Sequence, residues 1–261
     1  MQRIHIQSEL VYESRSNSDY IFNIQAAYHP WQFIESENVS INPFCSMSYG
    51  LGHTGQNRLA KMASPPGTFS VNYEAIVAVN YPQPTGQEQE MQINALPIDI
   101  IPYIWSSRYC ESDALTQLAN SLFGQIPVGF QRVEAICQWI RDNIRYEIGH
   151  TNSLTSTRNV LDMGVGVCRD FAHLGISFCR ALNIPARFVT GYALFEDPPT
   201  DYHAIFEAYL GGRWILFDPT QMSPIEDLVR IATGRDASDT AFSTIFGAVV
   251  MKSMNPYVEI I

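Results

Sequence analysis

The chain has no long apolar run, no basic run and no even set of cysteines, and each absence narrows what it can be. Without a stretch of the length needed to cross a bilayer, no membrane-spanning helix is expected. The amino end, with Ile4, Ile6, Leu10 and Tyr12 alternating with polar residues, has no apolar signal core. Lys and Arg number 16 against 26 Asp and Glu, for a net charge of -10, and the basic residues are scattered. Nucleic acid and anionic membranes are therefore not expected partners. The five cysteines (45, 110, 137, 168 and 179) are odd in number and irregularly spaced. That pattern fits reduced thiols in the cytoplasm better than a disulfide framework. No internal repeat or low-complexity segment appears.

What is present divides by character along the 261 residues. Residues 1–102 read as strands and turns, with Ile4, Ile6, Ser8, Leu10 and Tyr12 on one face of the first. Further β-leaning runs fall at 21–28, 58–62, 68–79 and around 91–93, separated by Pro and Gly clusters such as Pro65-Pro66-Gly67. Short strands at this spacing predict a small β-sandwich. The spacing predicts helices over 113–123, 133–144 and 157–163, then a buried helix that opens at Cys168 and stops before Asn183-Ile184-Pro185. Strands follow at 186–195, 203–210 and 213–217, with a break at Pro198-Pro199 and a two-residue hairpin turn at Gly211-Gly212. Residues 103–225 thus form a helix-then-strand core. Residues 226–261 read as a tail packing back on the body, with a short helical stretch, a loop at 234–239 and an apolar run at 245–251. The fold class is α+β.

Three residues carry the chemistry. Gly164 and Gly166 break the chain just before Cys168, which puts the thiol in the first turn of a helix. Free N–H groups and the helix dipole favour thiolate there, and one of those N–H groups can face a developing oxyanion. Cysteine taken alone favours burial, and Cys179, mid-helix on the apolar face, is the example; the glycine turn reverses the balance for Cys168. A metal held by Cys168, His173 and Cys179 is excluded: the two sulfurs stand roughly 16 Å apart along a helix, and His173 points about 140° away from Cys168. Hairpin arithmetic places the other two. If Gly211-Gly212 form the loop, Leu210 faces Arg213 and Asp218 faces Ile205. His203 and Asp218 then share one face within imidazole–carboxylate reach. His203 would pair with the thiolate and protonate a leaving amine, and Asp218 would hold the second ring nitrogen. Each has an ordinary alternative: a hydrogen-bonded histidine beside Tyr202, and an Asp-Pro turn.

These residues resemble the transglutaminase-like superfamily, in particular its bacterial transglutaminase-like cysteine protease branch. The resemblance rests on the run from Gly166 through Cys168 and Asp170, the run from Ala181 to Arg187 with Gly191-Tyr192, on His203-Ala204, and on Trp214 through Asp218-Pro219-Thr220. It implies a papain-like core, preceded by an amino-terminal β domain, and acyl transfer at a carboxamide with Cys168, His203 and Asp218 as catalytic triad. The acceptor would be water in a protease or amidase and an amine in a cross-linking enzyme. A binding or scaffold protein with a relict triad is the non-enzymatic alternative. The expected partner is a protein or peptide substrate, with no cofactor and no metal. Tyr146 is a candidate second oxyanion donor, although a core tyrosine is the simpler reading. Arg169 and Asp170 are expected to orient the helix start, His173 to sit in the core, and 234–236 to be a solvated turn.

Overall fold

A computed structural model describes residues 1–52, 54–195 and 201–261. The chain begins with β1 (Gln2–Ser14), β2 (Ser18–Phe22), β3 (Gln32–Asn42), β4 (Ser48–Leu51), β5 (Arg58–Ser64) and β6 (Gly67–Val79). After a linker come α1 (Thr116–Phe123), α2 (Phe130–Asn143), β7 (Arg145–Tyr146), α3 (Thr157–Met163), β8 (Val165–Gly166) and α4 (Cys168–Ala181). The last part holds β9 (Ala186–Tyr192), β10 (Tyr202–Leu210), β11 (Arg213–Phe217), β12 (Val229–Gly234), β13 (Ser243–Phe246) and β14 (Val249–Ile260). The fold is α+β. Among the described residues, no helix is long and apolar enough to cross a membrane.

Two antiparallel sheets, ordered β14-β1-β6-β3 and β13-β2-β5-β4, form the sandwich. Period-two alternation drives it: Ile4, Ile6, Ser8, Leu10 and Tyr12 of β1 are buried while their neighbours are not, as a strand with one solvated face requires. Each sheet takes one edge strand from the far end of the chain. β14 pairs with β1 from Ile4↔Ile260 to Ser14↔Val249, and β13 pairs with β2. The tail at 226–261 therefore supplies strands rather than a helical stretch; its helical content is confined to two 3-10 turns, one of which begins at Ile225.

Other expectations are corrected locally. The second strand ends at Phe22, because the backbone beyond it turns away to bond Phe242, the Tyr73 hydroxyl and Arg230. The segment at 91–93 is no strand and leads into a 3-10 turn, Ile93–Ala95, that buries none of its residues. β9 stops at Tyr192, short of 195. The break at Pro198-Pro199 lies outside the described residues.

The second half is built around α4. Every residue from Asp170 to Ala181 is buried, enclosed by α1, α2 and α3 and by one face of the sheet β11-β10-β9-β12. Two features let a helix lie so close. Gly175 meets the Phe206 ring of β10, where an added Cβ would stand 2.5 Å from Cε1. Arg180, buried in the last turn, satisfies its guanidinium on the carbonyls of Ala186 and Trp105 and the Ser107 hydroxyl. Gly175→Ala is accordingly expected to destabilise the protein by about 1–3 kcal/mol. At this chain length that lowers Tm by about 2–4 °C per kcal/mol in a thermal melt; an unchanged Tm would show that the helix has room to move off the sheet.

Candidate active site

The turn before Cys168 is assembled from both sides. α3 ends at Gly164 in the left-handed region, with φ 66°, and β8 then lies parallel to β7, pairing Tyr146 with Gly166. Arg145 and Glu147 donate their N–H groups to the Gly164 and Gly166 carbonyls at 3.0 Å each. On the helix side, the buried Asp170 carboxylate accepts from the Val167 N–H at 3.0 Å, which caps α4, and from the Thr151 hydroxyl at 2.6 Å. Its other oxygen takes the Arg169 guanidinium at 3.3 Å. Gly166 is required by this cap: a Cβ there would stand 2.8 Å from that of Asp170. Arg169 and Asp170 thus do what the sequence suggested, and the closest neighbour of the glycine is the capping acid.

α4 begins at Cys168 itself, and the first bond inside the helix runs from the Asp170 N–H to the Val167 carbonyl. The N–H groups of Cys168 and Arg169 therefore precede the helical ladder, at the positive end of the dipole. Cys168 is partly exposed, whereas Cys110, Cys137 and Cys179 are buried. Burial pushes the Cys110 thiol up to about 12 and raises those of Cys137 and Cys179 as well. All five cysteines are free.

The hairpin register agrees with the arithmetic: Leu210 pairs with Arg213 and Phe206 with Phe217, leaving Asp218 just past the end of β11. His203 and Asp218 are both buried, and His203 Nε2 meets Asp218 Oδ2 at 2.8 Å. The second carboxylate oxygen accepts from the Thr220 N–H at 2.8 Å and its hydroxyl at 2.7 Å. The Asp-Pro turn and the histidine partner are thus one residue using two oxygens. Burial alone would lower the His203 pKa. The Asp218 hydrogen bond and the adjoining Cys168 side chain outweigh it and raise the imidazole to about 10. Among the described residues Nδ1 has no well-aligned hydrogen bond of its own. With Nε2 committed to Asp218, it is the ring atom left for the sulfur.

Tyr146 is half-buried and packs on Phe171 at the edge of the core, as the simpler expectation has it, but it does more than that. Its parallel pairing with Gly166 brings the phenol against Cys168. Burial raises its pKa first and the neighbouring sulfur adds to that, while the Cys168 backbone N–H bonding toward the phenol oxygen opposes both. No residue spacing announced this contact, because a two-residue parallel bridge has no periodicity. His173 is a core histidine, as expected: burial drives its pKa down to about 3, its Nε2 accepts the Ala237 N–H at 3.1 Å, and its ring stacks on Tyr109. The turn at 234–236 is only partly solvated: Arg235 is exposed, but Gly234 is buried. Asp236 is buried and accepts the Tyr109 N–H at 3.0 Å, so it ties the tail to the linker.

Comparison with known proteins agrees with the fold. Residues 116–219 match the model of the transglutaminase-like superfamily core, and residues 2–100 that of the bacterial transglutaminase N-terminal domain. A crystal structure of a candidate cysteine protease from Cytophaga hutchinsonii is similar at 40% identity, covering 99% of this chain and 90% of that one, with a TM-score of 0.95. An uncharacterized protein of Mycobacterium leprae is 35% identical over 120 residues, and one of Mycobacterium tuberculosis 27% over 135 residues. These stretches cover 42% and 46% of this chain, and in each case 42% of the mycobacterial protein.

The His203–Asp218 pair makes stability depend on pH with a definite sign. A group whose pKa rises on folding adds stability that is complete below its unfolded value, here near 6.5. That stability is lost as pH climbs through the folded value, about 10. Asp218→Asn, which keeps the shape and removes the charge, is expected to cost about 1.5–3 kcal/mol near pH 6. The gap in Tm between the two proteins should close as pH rises toward about 10. A gap that stays constant across that window would mean that the bond carries no charge.

Proposed function

This chain belongs to the transglutaminase-like superfamily, and on that premise we propose that it is a cysteine-nucleophile hydrolase, a protease or amidase, that opens peptide or isopeptide-like amides through an acyl-enzyme on Cys168. One observation carries the reading: a buried imidazole fixed through Nε2 on Asp218, with Nδ1 left for the Cys168 sulfur at the first turn of a helix. The similar candidate protease from Cytophaga hutchinsonii supports hydrolysis over other acyl transfers. Five free thiols suit a reducing compartment, and a cytoplasmic location is proposed with it.

In this mechanism the thiolate adds to the amide carbonyl carbon, and negative charge collects on the carbonyl oxygen. The Cys168 N–H at the helix start and the Tyr146 hydroxyl are the donors available to that oxygen. Collapse breaks the C–N bond as His203 delivers its Nδ1 proton to the leaving amine. Water then adds to the thioester, giving a proton to His203, and the thiolate leaves as the carboxylic acid is released. Asp218 holds the ring and offsets its positive charge throughout.

The test is the pH dependence of iodoacetamide labelling read by mass spectrometry. Cys168 is expected to label well below pH ~8.5, the ordinary range of a free thiol. Cys110, Cys137 and Cys179 serve as unreactive references, and His203→Ala should abolish the advantage. Labelling of Cys168 no faster than of Cys179 would overturn the proposal in favour of a non-catalytic role. Once a substrate is found, retained turnover in Cys168→Ala would do the same, and incorporation of a primary amine in place of water would reassign the acceptor.

Tyr146→Phe separates its role from packing. Turnover of that substrate should fall about 10- to 1,000-fold, the range for one oxyanion donor. Alkylation of Cys168, which builds no oxyanion, should be unchanged. Loss of both would mean instead that the phenol merely holds the nucleophile turn in place.

A further inference from the structure

The face of the β9–β11 sheet turned away from α4 carries a second cluster that the chemistry above does not use. Glu207 of β10 is buried, and its carboxylate accepts Arg187 Nε at 2.6 Å and the Arg230 guanidinium at 2.5 and 3.1 Å. Two arginines on one carboxylate leave a net positive charge out of water, and buried charge is costly unless paired. No second anion is close among the described residues. His29 is driven neutral by burial, with a pKa near 3. Arg213 is already paired with Glu88 at 2.7 Å, and Asp99 and Glu226 sit exposed at the rim. Arg230 Nε makes no well-aligned hydrogen bond among the described residues, although the Tyr81 phenol lies beside the guanidinium.

Above the cluster lies a cavity of about 630 Å³, walled by Trp31 from the sandwich, Tyr81 and Tyr103 from the linker, and Trp214 from β11. Small-molecule sites run to roughly 300–1,000 Å³ and combine apolar walls with a few fixed polar groups. Arg187 is such a group. Its side chain is 10% exposed and lies 4.1 Å over the Trp214 ring. It spends only Nε on Glu207, and its Nη atoms bond to no described residue. A guanidinium held flat by an aromatic ring, with its fork free, matches the two oxygens of a carboxylate.

We propose that this cavity is a binding site for a small organic carboxylate, anchored on Arg187 with its apolar body against Trp31, Tyr103 and Trp214. The ligand would neutralise the charge that Glu207 leaves over. It would also sit apart from the candidate active site: Glu207 and His203 share β10 but stand ~13 Å apart at about 3.3 Å per residue. The buried side chains of Ile205 and Leu216 belong to the apolar cluster between them.

Benzoate is a suitable probe, titrated into the full chain with ¹⁵N-labelled tryptophan and followed at the four indole N–H signals. The signals of Trp31 and Trp214 should shift and saturate while those of Trp105 and Trp139 stay in place. Benzamide, the same shape without charge, should bind at least about tenfold more weakly. Arg187→Lys, which keeps the charge and loses the fork, should weaken benzoate by a similar factor. If that variant does not fold, the benzoate–benzamide comparison on the unaltered protein decides alone. Equal binding of benzamide would overturn the proposal. So would tighter binding of benzamidine, which would assign the cavity to cations held by Asp99 and Glu226. Shifts in all four indoles, or none up to about 20 mM benzoate, the range of negligible affinity, would overturn it as well.

Discussion

The burial of α4 is the constraint from which the rest follows. A helix with twelve consecutive residues out of water cannot rotate or slide without opening cavities or forcing overlaps, and Gly175 against Phe206 leaves little slack. Its axis is therefore set by the sheet, and so is the place of its first residue. Cys168 stands at the one end of the helix that emerges from the core, where its side chain is partly exposed and its N–H precedes the helical ladder. The deepest part of the molecule thus positions the Cys168 thiol.

The sheet must be held equally firmly for that placement to matter, and the sandwich contributes to this. Tyr202, the residue before His203, bonds the Ser8 hydroxyl of β1 and packs on Tyr192 and Phe242. Tyr192 in turn donates to the Ile24 carbonyl, and Gln32 bonds the Arg230 backbone in both directions. Because β13 and β14 return to close both sandwich sheets, the chain crosses between its two halves more than once. The β-rich half is in this sense part of the framework behind the imidazole, and not an appended module. The excess positive charge at Glu207 lies along the same seam, which is where an occupant could bridge the two halves.

Within the site, electrostatics do what packing cannot. A buried histidine would by itself favour the neutral ring; here a carboxylate on Nε2 and a sulfur beside the ring reverse that preference. Asp218 can serve because its own geometry is fixed by Thr220 through the other oxygen. His173 is the contrast on the same helix as Cys168. Equally buried and packed against aromatic rings, it accepts one backbone N–H and stays neutral.

Local rules determined a good deal. The glycine break before Cys168, the apolar stripe of α4 and the Gly211-Gly212 turn are all properties of adjacent residues, so the place of Cys168 at a helix start and the approach of His203 to Asp218 were legible without coordinates. The alternation of β1 was legible for the same reason. Strands β3 and β14 were not: they are sheet edges, largely exposed, and an exposed edge carries no alternation to read. Nor could any pattern show that β14 belongs beside β1, since pairing over that separation depends on the whole core. Tyr146 against Cys168, the burial of Asp236, and the meeting of Arg187, Glu207 and Arg230 in one cluster arise only when distant segments dock. The sequence by itself thus determined which groups could react and which elements carry them. Tertiary structure decided what surrounds those groups, because desolvation and neighbouring charge are properties of the packed chain.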